Sequence, residues 1–288
     1  MTYVRLTRAC AASLFCALVA ACGVPASPAT PPLAYVALGD SVAAEPGVPD
    51  PAPPPGCQKS TNNYPSVLTR RLKPVTVTDV TCSGATSADI TSRAQLTPGG
   101  TVAPQIDAVR ADTTLITVTI GGNDVGLAAD AAQCEAASID SPPCMGKFVI
   151  NGVDTISTAI GAQLPVWAQM IEDLRTKAPR ARIVLVGYPM FIRPGGCFPE
   201  QPILPKDADY FQSKVDELDD HEQQLAANKK VGFFDTRPLS AAHDMCAGPS
   251  DRYVEGFMTA NPAQPLHPNG MGAAAIGDGL ADYINEKR

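Results

Sequence analysis

The sequence predicts an α/β protein with a central parallel sheet of about five strands, covered by helices on both faces. Two observations indicate this fold. Short runs of apolar and β-branched residues alternate along the chain with amphipathic helical segments, as in right-handed βαβ units. In addition, three of these runs end directly in turns rich in Gly, Ser, Asn or Asp. Open α/β sheets place their chemistry at the carboxyl ends of their strands, so these turns are candidates for a functional site.

Five segments are predicted as strands because they are short, apolar and rich in β-branched residues. They are 33–38 (LAYVAL), 75–80 (VTVTDV), 115–120 (LITVTI), 182–187 (RIVLVG) and 231–235 (VGFFD). Helices are predicted between the strands and after the last one. One begins at Asn63, helical segments lie within 125–179, and two more cover 207–229 and 270–287.

Prolines restrict the secondary structure of two further stretches of the chain. Residues 45–60 contain six prolines, which predicts an irregular loop without helix or strand. This loop follows the first strand closely enough to wall a substrate pocket. Pro165 lies within an otherwise helical pattern and is expected to kink or divide that helix.

The N-terminal residues are typical of an export signal. Two arginines give a basic start, an apolar run follows, and 19–22 (VAAC) is a small-residue cleavage context, so residues 1–21 are predicted as a signal peptide. VAAC resembles the bacterial lipobox, in which Cys22 becomes the lipidated first residue. The following residues, to position 32, are rich in Pro, Ala and Ser and predict a flexible tether over 22–32. An ordinary signal peptide that happens to contain Cys22 is the alternative.

Composition and charge restrict the class of protein and its partners. The 288 residues are 45% apolar and 18% charged, enough for one sizeable core, so residues 33–288 are predicted as a single domain. The net charge is −7, and without residues 1–21, which carry two arginines and no acidic residue, it is −9. Such a chain has no electrostatic footprint for nucleic acid or anionic lipid. We expect a monomer in the cell envelope, held at the outer face of the cytoplasmic membrane only by a lipid on Cys22, or a secreted protein.

The nine cysteines fall into two groups. Cys10, Cys16 and Cys22 belong to the N-terminal segment. Six remain, an even number in an oxidising compartment, so three disulfides are expected, and the residues alone leave their pairing open. These six are Cys57, Cys82, Cys134, Cys144, Cys197 and Cys246. No Cys-x-x-Cys pair or close Cys/His cluster occurs in the sequence, which argues against a metal site.

Four segments carry side chains suited to ester hydrolysis by a serine. Gly39-Asp40-Ser41 follows the first strand, Cys82-Ser83-Gly84 the second and Gly121-Gly122-Asn123 the third, while His267-Pro268-Asn269 precedes the last helix. Each is weak alone, because Gly and Asp are ordinary turn residues and Ser is a common helix N-cap. As an ordered set they resemble the SGNH (GDSL-type) hydrolases. Within that superfamily the chain is most similar to secreted actinobacterial esterases and lipases with three disulfides.

The resemblance implies a flavodoxin-like three-layer α/β/α sandwich and a Ser-His mechanism that needs no metal or cofactor. Ser41 is the implied nucleophile and His267 the implied base. The oxyanion would be held by the backbone N-H groups of Ser41 and Gly84 and by the side-chain amide of Asn123. The implied disulfides are Cys57 with Cys82, Cys134 with Cys144, and Cys197 with Cys246.

Three functions are compatible with these residues. We expect an exported esterase or lipase that hydrolyses carboxylic esters, with a small-molecule or lipid ester as substrate. Removal of acetyl groups from a polysaccharide uses the same machinery with a shallower pocket. A non-catalytic envelope lipoprotein could keep the fold as a binding module, but the presence of all four block residues argues against it.

Three histidines are candidates for the base. His221 lies in a helix among acidic residues, which is typical of a solvated surface position. His243 lies in a loop just before a cysteine and is expected to serve that loop. His267 occupies the position of the family's last block and is therefore the histidine that we predict to be the base. Among the nearby acids, Asp40 and Asp124 are interpreted as hydrogen-bond acceptors that lock their loops.

The chain departs from the commonest pattern of the family at Gln264. Most members have an Asp three residues before the catalytic His, and a neutral amide cannot stabilise an imidazolium as a carboxylate does. Some actinobacterial relatives use a main-chain carbonyl at that position, so the resemblance implies that the Gln264 carbonyl orients His267. A remote carboxylate, from Asp235 or Asp244, is the alternative.

Overall fold

Five parallel strands form the central sheet of this protein. The structure is a computed structural model that describes Met1, Thr2 and residues 32–287. The strands are β1 (Ala34–Gly39), β2 (Thr76–Asp79), β3 (Leu115–Thr119), β4 (Arg182–Val186) and β5 (Gly232–Phe234). Their order across the sheet is β5-β4-β3-β1-β2, and every neighbouring pair is parallel. This is the flavodoxin-like order, in which the direction of winding reverses between β1 and β3.

Eight α-helices are found in residues 32–287. They are α1 (Ser41–Ala44), α2 (Tyr64–Leu72), α3 (Ser87–Thr91), α4 (Leu127–Ala132), α5 (Thr155–Lys177), α6 (Pro205–Lys229), α7 (Arg237–Ser240) and α8 (Gly270–Glu286). None of these helices is long and apolar enough to cross a bilayer.

The helices cover both faces of the sheet. Alternate side chains of β1 point to opposite sides, so Tyr35 and Ala37 pack in a cluster with α2 and α8, whereas Val36 and Leu38 pack with α3 and α5. The lone tryptophan, Trp167, is fully buried on α5. The predicted three-layer α/β/α sandwich with a parallel sheet is therefore confirmed.

The N-terminal predictions concern residues that the structure does not describe. The cleavage context at 19–22 and Cys22 lie outside the described residues, as do nearly all of the signal peptide over 1–21 and of the tether over 22–32. Residues 32–287 belong to one compact unit.

The proline-rich segment 45–60 is more regular than its composition predicts. Pro51–Ala52 pairs with Lys59–Ser60 in a short antiparallel ladder, and Pro55–Cys57 forms a 3₁₀ turn. The prediction of an irregular loop is therefore wrong in part. Proline is tolerated at the edge of a short ladder because its missing N-H is not needed there.

Pro165 does not divide its helix. α5 runs without interruption from Thr155 to Lys177 and contains Pro165. Because Pro165 lies on the exposed side of the helix, water can hydrate the carbonyl that its missing N-H leaves without a partner. The expected division of the helix is therefore wrong.

Candidate active site

The ends of β1 and β3 bring two of the predicted turns side by side. Gly39 is in register with Thr119, and Asp40 N-H donates to the Thr119 carbonyl at 2.9 Å. A Cβ on Gly39 would lie 2.7 Å from that carbonyl oxygen, so the close approach requires glycine at position 39. These two strands flank the point where the strand order reverses, which is where open α/β sheets form ligand crevices.

Ser41 is the first residue of the short helix α1. Asp40 caps this helix, because its carboxylate Oδ1 accepts a hydrogen bond from Val42 N-H at 2.9 Å. Burial raises the pKa of Asp40 to about 7, against the opposing effect of hydrogen bonds donated by Tyr188 and Val42. Asp40 thus fixes the backbone that carries Ser41, as predicted for a loop-locking acceptor.

The turn after β2 is joined to the other two turns. Cys82 N-H donates to the Gly39 carbonyl at 3.0 Å, and Asn123 Nδ2 donates to the Ala85 carbonyl at 3.0 Å. An amide group has two N-H donors, so Asn123 keeps one for another acceptor. Gly84 has a φ of +78° and lines a surface depression next to Ser83. The structure therefore brings Gly84 close to the site without placing it in the cavity that Ser41 lines.

Asp124 holds the second and third turns together. Its carboxylate accepts hydrogen bonds from Ser87 N-H at 2.9 Å and Ser87 Oγ at 2.7 Å. Trp167 Nε1 donates to the same group at 3.4 Å. Burial raises the pKa of Asp124, while the bonds from Ser87 lower it. Its partners are those of a positioning group, in agreement with the interpretation from the sequence.

Tyr188 is a residue of the site that the sequence interpretation missed. Its hydroxyl donates to Asp40 Oδ2 and accepts a hydrogen bond from Gly122 N-H at 2.8 Å. Tyr188 comes two residues after β4, at the same edge of the sheet as the other turns. The rule that selected the first three turns, applied to this fourth strand end, was the signal that could have found it.

His267 is half-buried and is oriented by a main-chain carbonyl. Its Nδ1 lies 2.7 Å from the Pro265 carbonyl oxygen. A carbonyl can only accept, so Nδ1 carries the proton and Nε2 has the free lone pair of a base. Burial lowers the pKa of His267, and the bond to Pro265 opposes that shift. The imidazole is therefore neutral at neutral pH.

The prediction that the Gln264 carbonyl orients His267 is wrong. Leu266 has a left-handed φ of +61°, and with this turn it is the carbonyl of Pro265 that lies at Nδ1 of His267. Gln264 serves the proline-rich segment instead. Its N-H donates to the Pro46 carbonyl at 2.8 Å, and its Nε2 donates to Gln58 Oε1 at 3.0 Å.

The remote carboxylates have other partners. Asp235 pairs with Arg237 at 2.9 Å, and the fully buried Asp244 pairs with Arg193 at 2.9 Å. No carboxylate among residues 32–287 is hydrogen-bonded to His267. The structure thus offers no triad acid in the described part of the chain.

The other two histidines lie elsewhere. His243 Nδ1 is hydrogen-bonded to the Asp251 carbonyl, and its ring stacks on Tyr253 with 4.0 Å between ring centroids. His221 lies on α6 beside Asp216, Glu217 and other polar residues of a surface depression. Neither lines the cavity that contains His267.

Ser41, Asn123 and His267 line one cavity. The rest of its wall is mainly apolar and includes Leu127, Phe191, Ile203, Phe211, Val215 and Phe257. No hydrogen bond joins Ser41 Oγ to His267 Nε2 among the described contacts, and such bonds commonly tighten only when substrate binds. The cavity therefore offers a hydroxyl, an imidazole and an amide donor within a largely apolar lining.

The six cysteines form three disulfides. The pairs are Cys57–Cys82, Cys134–Cys144 and Cys197–Cys246, the pairing that the resemblance implies. Within residues 32–287, no group of three or more His, Cys, Asp or Glu side chains is arranged to hold a metal ion.

Comparison with known proteins assigns the chain to a family. The GDSL-like Lipase/Acylhydrolase family matches residues 37–275. Lipase 2 of Streptomyces coelicolor is 35% identical over 267 residues, which are 89% of this chain and 87% of that protein.

Two solved structures share the fold. The extracellular lipase from Streptomyces rimosus has a TM-score of 0.73 and 24% identity, over 88% of this chain and 99% of that one. The phospholipase A1 from Streptomyces albidoflavus has a TM-score of 0.72 and 23% identity, over 89% of this chain and 100% of that one. The match of the family over most of the chain and the shared fold lead to one assignment: this protein belongs to the GDSL-like lipase/acylhydrolase family and is a carboxylic ester hydrolase.

Proposed function

We propose that this protein is an exported serine hydrolase that cleaves esters of apolar acyl chains, including lipid esters. The observation that carries the proposal is the cavity that Ser41 and His267 line together, in which apolar side chains form most of the rest of the lining. An acyl chain that fills this cavity removes apolar surface from water, at roughly 25 cal/mol for each Å² buried.

Ser41 is the proposed nucleophile and His267 the proposed general base. Ser41 Oγ attacks the ester carbonyl carbon, and Nε2 of His267 takes the hydroxyl proton and then gives it to the leaving alcohol. A water molecule attacks the acyl-enzyme in the same way. The Pro265 carbonyl holds the Nδ1 proton throughout, at 2.7 Å, and so fixes the tautomer that leaves Nε2 free.

The oxyanion needs donors that no other group occupies. The backbone N-H groups of Ser41 and Gly84 make no hydrogen bond within the described residues, and Asn123 has one N-H beyond the bond to Ala85. We assign these three groups to the oxyanion hole. A single donor of this kind contributes about 3 to 4 kcal/mol to transition-state stabilisation.

The largely apolar lining of the cavity favours longer acyl chains over acetyl groups. Residues from α4, α6 and the loop after β4 contribute to it, for example Ala131, Val215 and Phe191. An acetyl group would contact few of these side chains, so a polysaccharide O-acetyl esterase would gain little from them.

Three disulfides support export to an oxidising compartment. We further propose that Cys22 is lipidated, that the enzyme acts as a monomer at the outer face of the membrane, and that it uses no metal or cofactor. The mass of the mature protein tests the anchor. A diacylglyceryl mass on Cys22 supports it, whereas an unmodified protein in the medium contradicts it.

A series of p-nitrophenyl esters, from acetate to palmitate, tests the acyl preference. We expect kcat/KM to be higher for octanoate than for acetate, and S41A to abolish both activities. A preference for acetate would contradict the proposal and favour the acetyl esterase.

Two alanines of α4 provide a matched pair of variants. Ala131 is half-buried and lines the cavity, whereas Ala129 is exposed and does not. We expect A131F to lower kcat/KM for octanoate while acetate hydrolysis continues, and A129F to leave both unchanged. Equal behaviour of the two variants would show that the acyl chain does not enter this cavity.

A further inference from the structure

We propose that Tyr188 is a positioning residue, whose hydroxyl clamps the turn that carries Ser41 against the turn that carries Asn123. The clamp keeps the attacking hydroxyl and the oxyanion donor at a fixed separation. This inference rests on the proposed function, because it assigns Tyr188 a role in the geometry of that same site.

The Tyr188 hydroxyl makes one hydrogen bond to each of the two turns. The hydroxyl donates a hydrogen bond to Asp40 Oδ2 and accepts one from Gly122 N-H at 2.8 Å. Asp40 immediately precedes Ser41, and Gly122 immediately precedes Asn123. Partners at sequence separations of 148 and 66 are thus joined by one oxygen atom.

The Tyr188 ring also leaves little space for a side chain at Gly122. A Cβ on Gly122 would lie 3.1 Å from the Tyr188 hydroxyl oxygen and 3.2 Å from its Cζ. The glycine therefore allows the backbone to approach the ring edge closely. The clamp is a contact of two surfaces as well as a pair of hydrogen bonds.

Tyr188 is itself held by the sheet. Its N-H donates to Asp219 Oδ1 at 3.0 Å, and the preceding Gly187 N-H donates to the Phe234 carbonyl at 3.0 Å. The side chain is 5% exposed, so it has little freedom to move. A rigid support of this kind is what the precise placement of reacting groups requires.

The charge on Asp40 decides whether the clamp is complete. An ionised carboxylate accepts from both Val42 N-H and Tyr188 O-H, whereas a protonated carboxyl brings a proton of its own that competes with that of Tyr188. The titratable groups that face Asp40 are Tyr188 itself, Asp124 after β3, Glu222 on α6 and Tyr64 on α2, and His267, which is neutral at neutral pH, lines the same cavity. None of them is a cation, so burial dominates and raises the pKa of Asp40 to about 7.

The test compares Y188F with Y35F. Both tyrosines are buried, and Tyr35 also makes one side-chain hydrogen bond, to Thr117 Oγ1 at 2.8 Å, but within the sheet and away from the cavity. With p-nitrophenyl octanoate we expect Y188F to lower kcat by about 10- to 100-fold with little change in KM. Y35F should lose stability without this loss of kcat. Equal kcat values for Y188F and Y35F would overturn the inference.

The pH dependence gives a readout that a purely structural role would not move. Activity should rise with pH through the pKa of Asp40, and Y188F should shift this acid limb to higher pH, because a hydrogen bond that lowers the pKa is lost. D40N should remove this acid limb. A second acid limb should remain at lower pH and report the titration of His267, because burial lowers the pKa of His267. An acid limb that stays in place in both variants would contradict the clamp.

A double-mutant cycle keeps the test decisive if one variant is unstable. The losses of kcat in Y188F and D40N should not be fully additive, because both variants disrupt the hydrogen bond between Tyr188 and residue 40. Fully additive losses of kcat would overturn the inference. S41A serves as the separate control: if it keeps activity, the proposed function fails, whereas if it is inactive and Y188F is not impaired, only this inference fails.

Discussion

His267 takes its orientation from the main chain rather than from a carboxylate. The Pro265 carbonyl accepts its Nδ1 proton at 2.7 Å, and no acidic side chain in residues 32–287 replaces that bond. A carbonyl dipole stabilises an imidazolium less than a full negative charge does, but it fixes the ring and its tautomer equally well. At the scale of one residue, the backbone conformation of Leu266, at φ +61°, therefore helps to set the basicity of the site.

The first residue-scale prediction separates Gln264 from His267. Q264A should keep most of its kcat, because the side chain of Gln264 contacts Gln58 and not the imidazole. H267A should lose about 1,000-fold or more, because no other histidine lines the cavity and Asp40 is occupied as the cap of α1. Steady-state kinetics on p-nitrophenyl octanoate measure both, and a Q264A variant as inactive as H267A would contradict the assignment.

The second residue-scale prediction concerns Asn123. N123A should lower kcat by about 100- to 1,000-fold, because one oxyanion donor is removed. The bond to the Ala85 carbonyl is also lost, so circular dichroism is needed to check that the fold persists. Retained turnover in a folded N123A protein would remove Asn123 from the site.

At the scale of elements, the site is an assembly of strand ends. The strands themselves follow from apolar patterning: the prediction of 115–120 and the observed Leu115–Thr119 differ by one residue. Capping signals were equally reliable, since Asn63 accepts from Ser66 N-H at 3.1 Å at the start of α2. Strand ends with Gly, Ser and Asn could therefore be found from the sequence.

Other features could not be predicted because they depend on contacts distant in sequence or on unusual backbone angles. The strand-end rule could have found Tyr188 in the sequence, but the partners of its hydroxyl are brought near only by the strand order. The choice of Pro265 over Gln264 depends on a left-handed Leu266, a conformation that leucine rarely adopts. The predicted division of the helix at Pro165 was wrong because the effect of a proline depends on which face of α5 is exposed.

Two disulfides give an element-scale prediction. Cys197–Cys246 closes 49 residues and joins two loops that contribute to the cavity, through Ile203 and Met245 among others, whereas Cys134–Cys144 closes only 10 residues. Loop entropy predicts that C197A/C246A costs about 4 kcal/mol of unfolding free energy and C134A/C144A about 3 kcal/mol. Urea unfolding measures both. A larger loss for the shorter loop would show that loop entropy does not control the difference.

At the scale of the whole molecule, burial of carboxyl groups around the site opposes stability at neutral pH. Asp40, Glu45, Asp219 and Glu222 are buried, and burial raises the pKa of each. These carboxyl groups include Asp40, which caps the helix that begins at Ser41, and Asp219, which holds the backbone of Tyr188. Burial of these carboxyl groups thus lowers stability and at the same time sets the electrostatics around the candidate site, as functional sites commonly do.

The sign of the pH effect follows from linkage. An acid with a raised pKa in the folded state binds its proton more tightly there, so stability falls as pH rises from the unfolded value, about 4, to the folded value. For Asp40 that window ends at about 7. Acids with lowered pKa values, such as Asp89 and Glu255, act in the opposite sense below about pH 4.

We therefore expect the free energy of unfolding to be greatest between about pH 4 and 5 and to fall toward pH 7. Urea titrations followed by the fluorescence of the lone, buried Trp167 measure this dependence. E222Q should make the fall shallower, and E200Q, which alters an exposed carboxyl, should not. Stability that rises steadily from pH 4 to 7 would contradict the effect assigned to the buried carboxyl groups.

The most direct test of the central claim is tandem mass spectrometry after reaction with a fluorophosphonate. The claim is that Ser41 and His267 act together on an acyl ester at the switch point of the sheet. It predicts a single adduct on Ser41, much slower labelling in H267A, and none in S41A. An adduct on another serine, or labelling of Ser41 at the same rate in H267A, would contradict it.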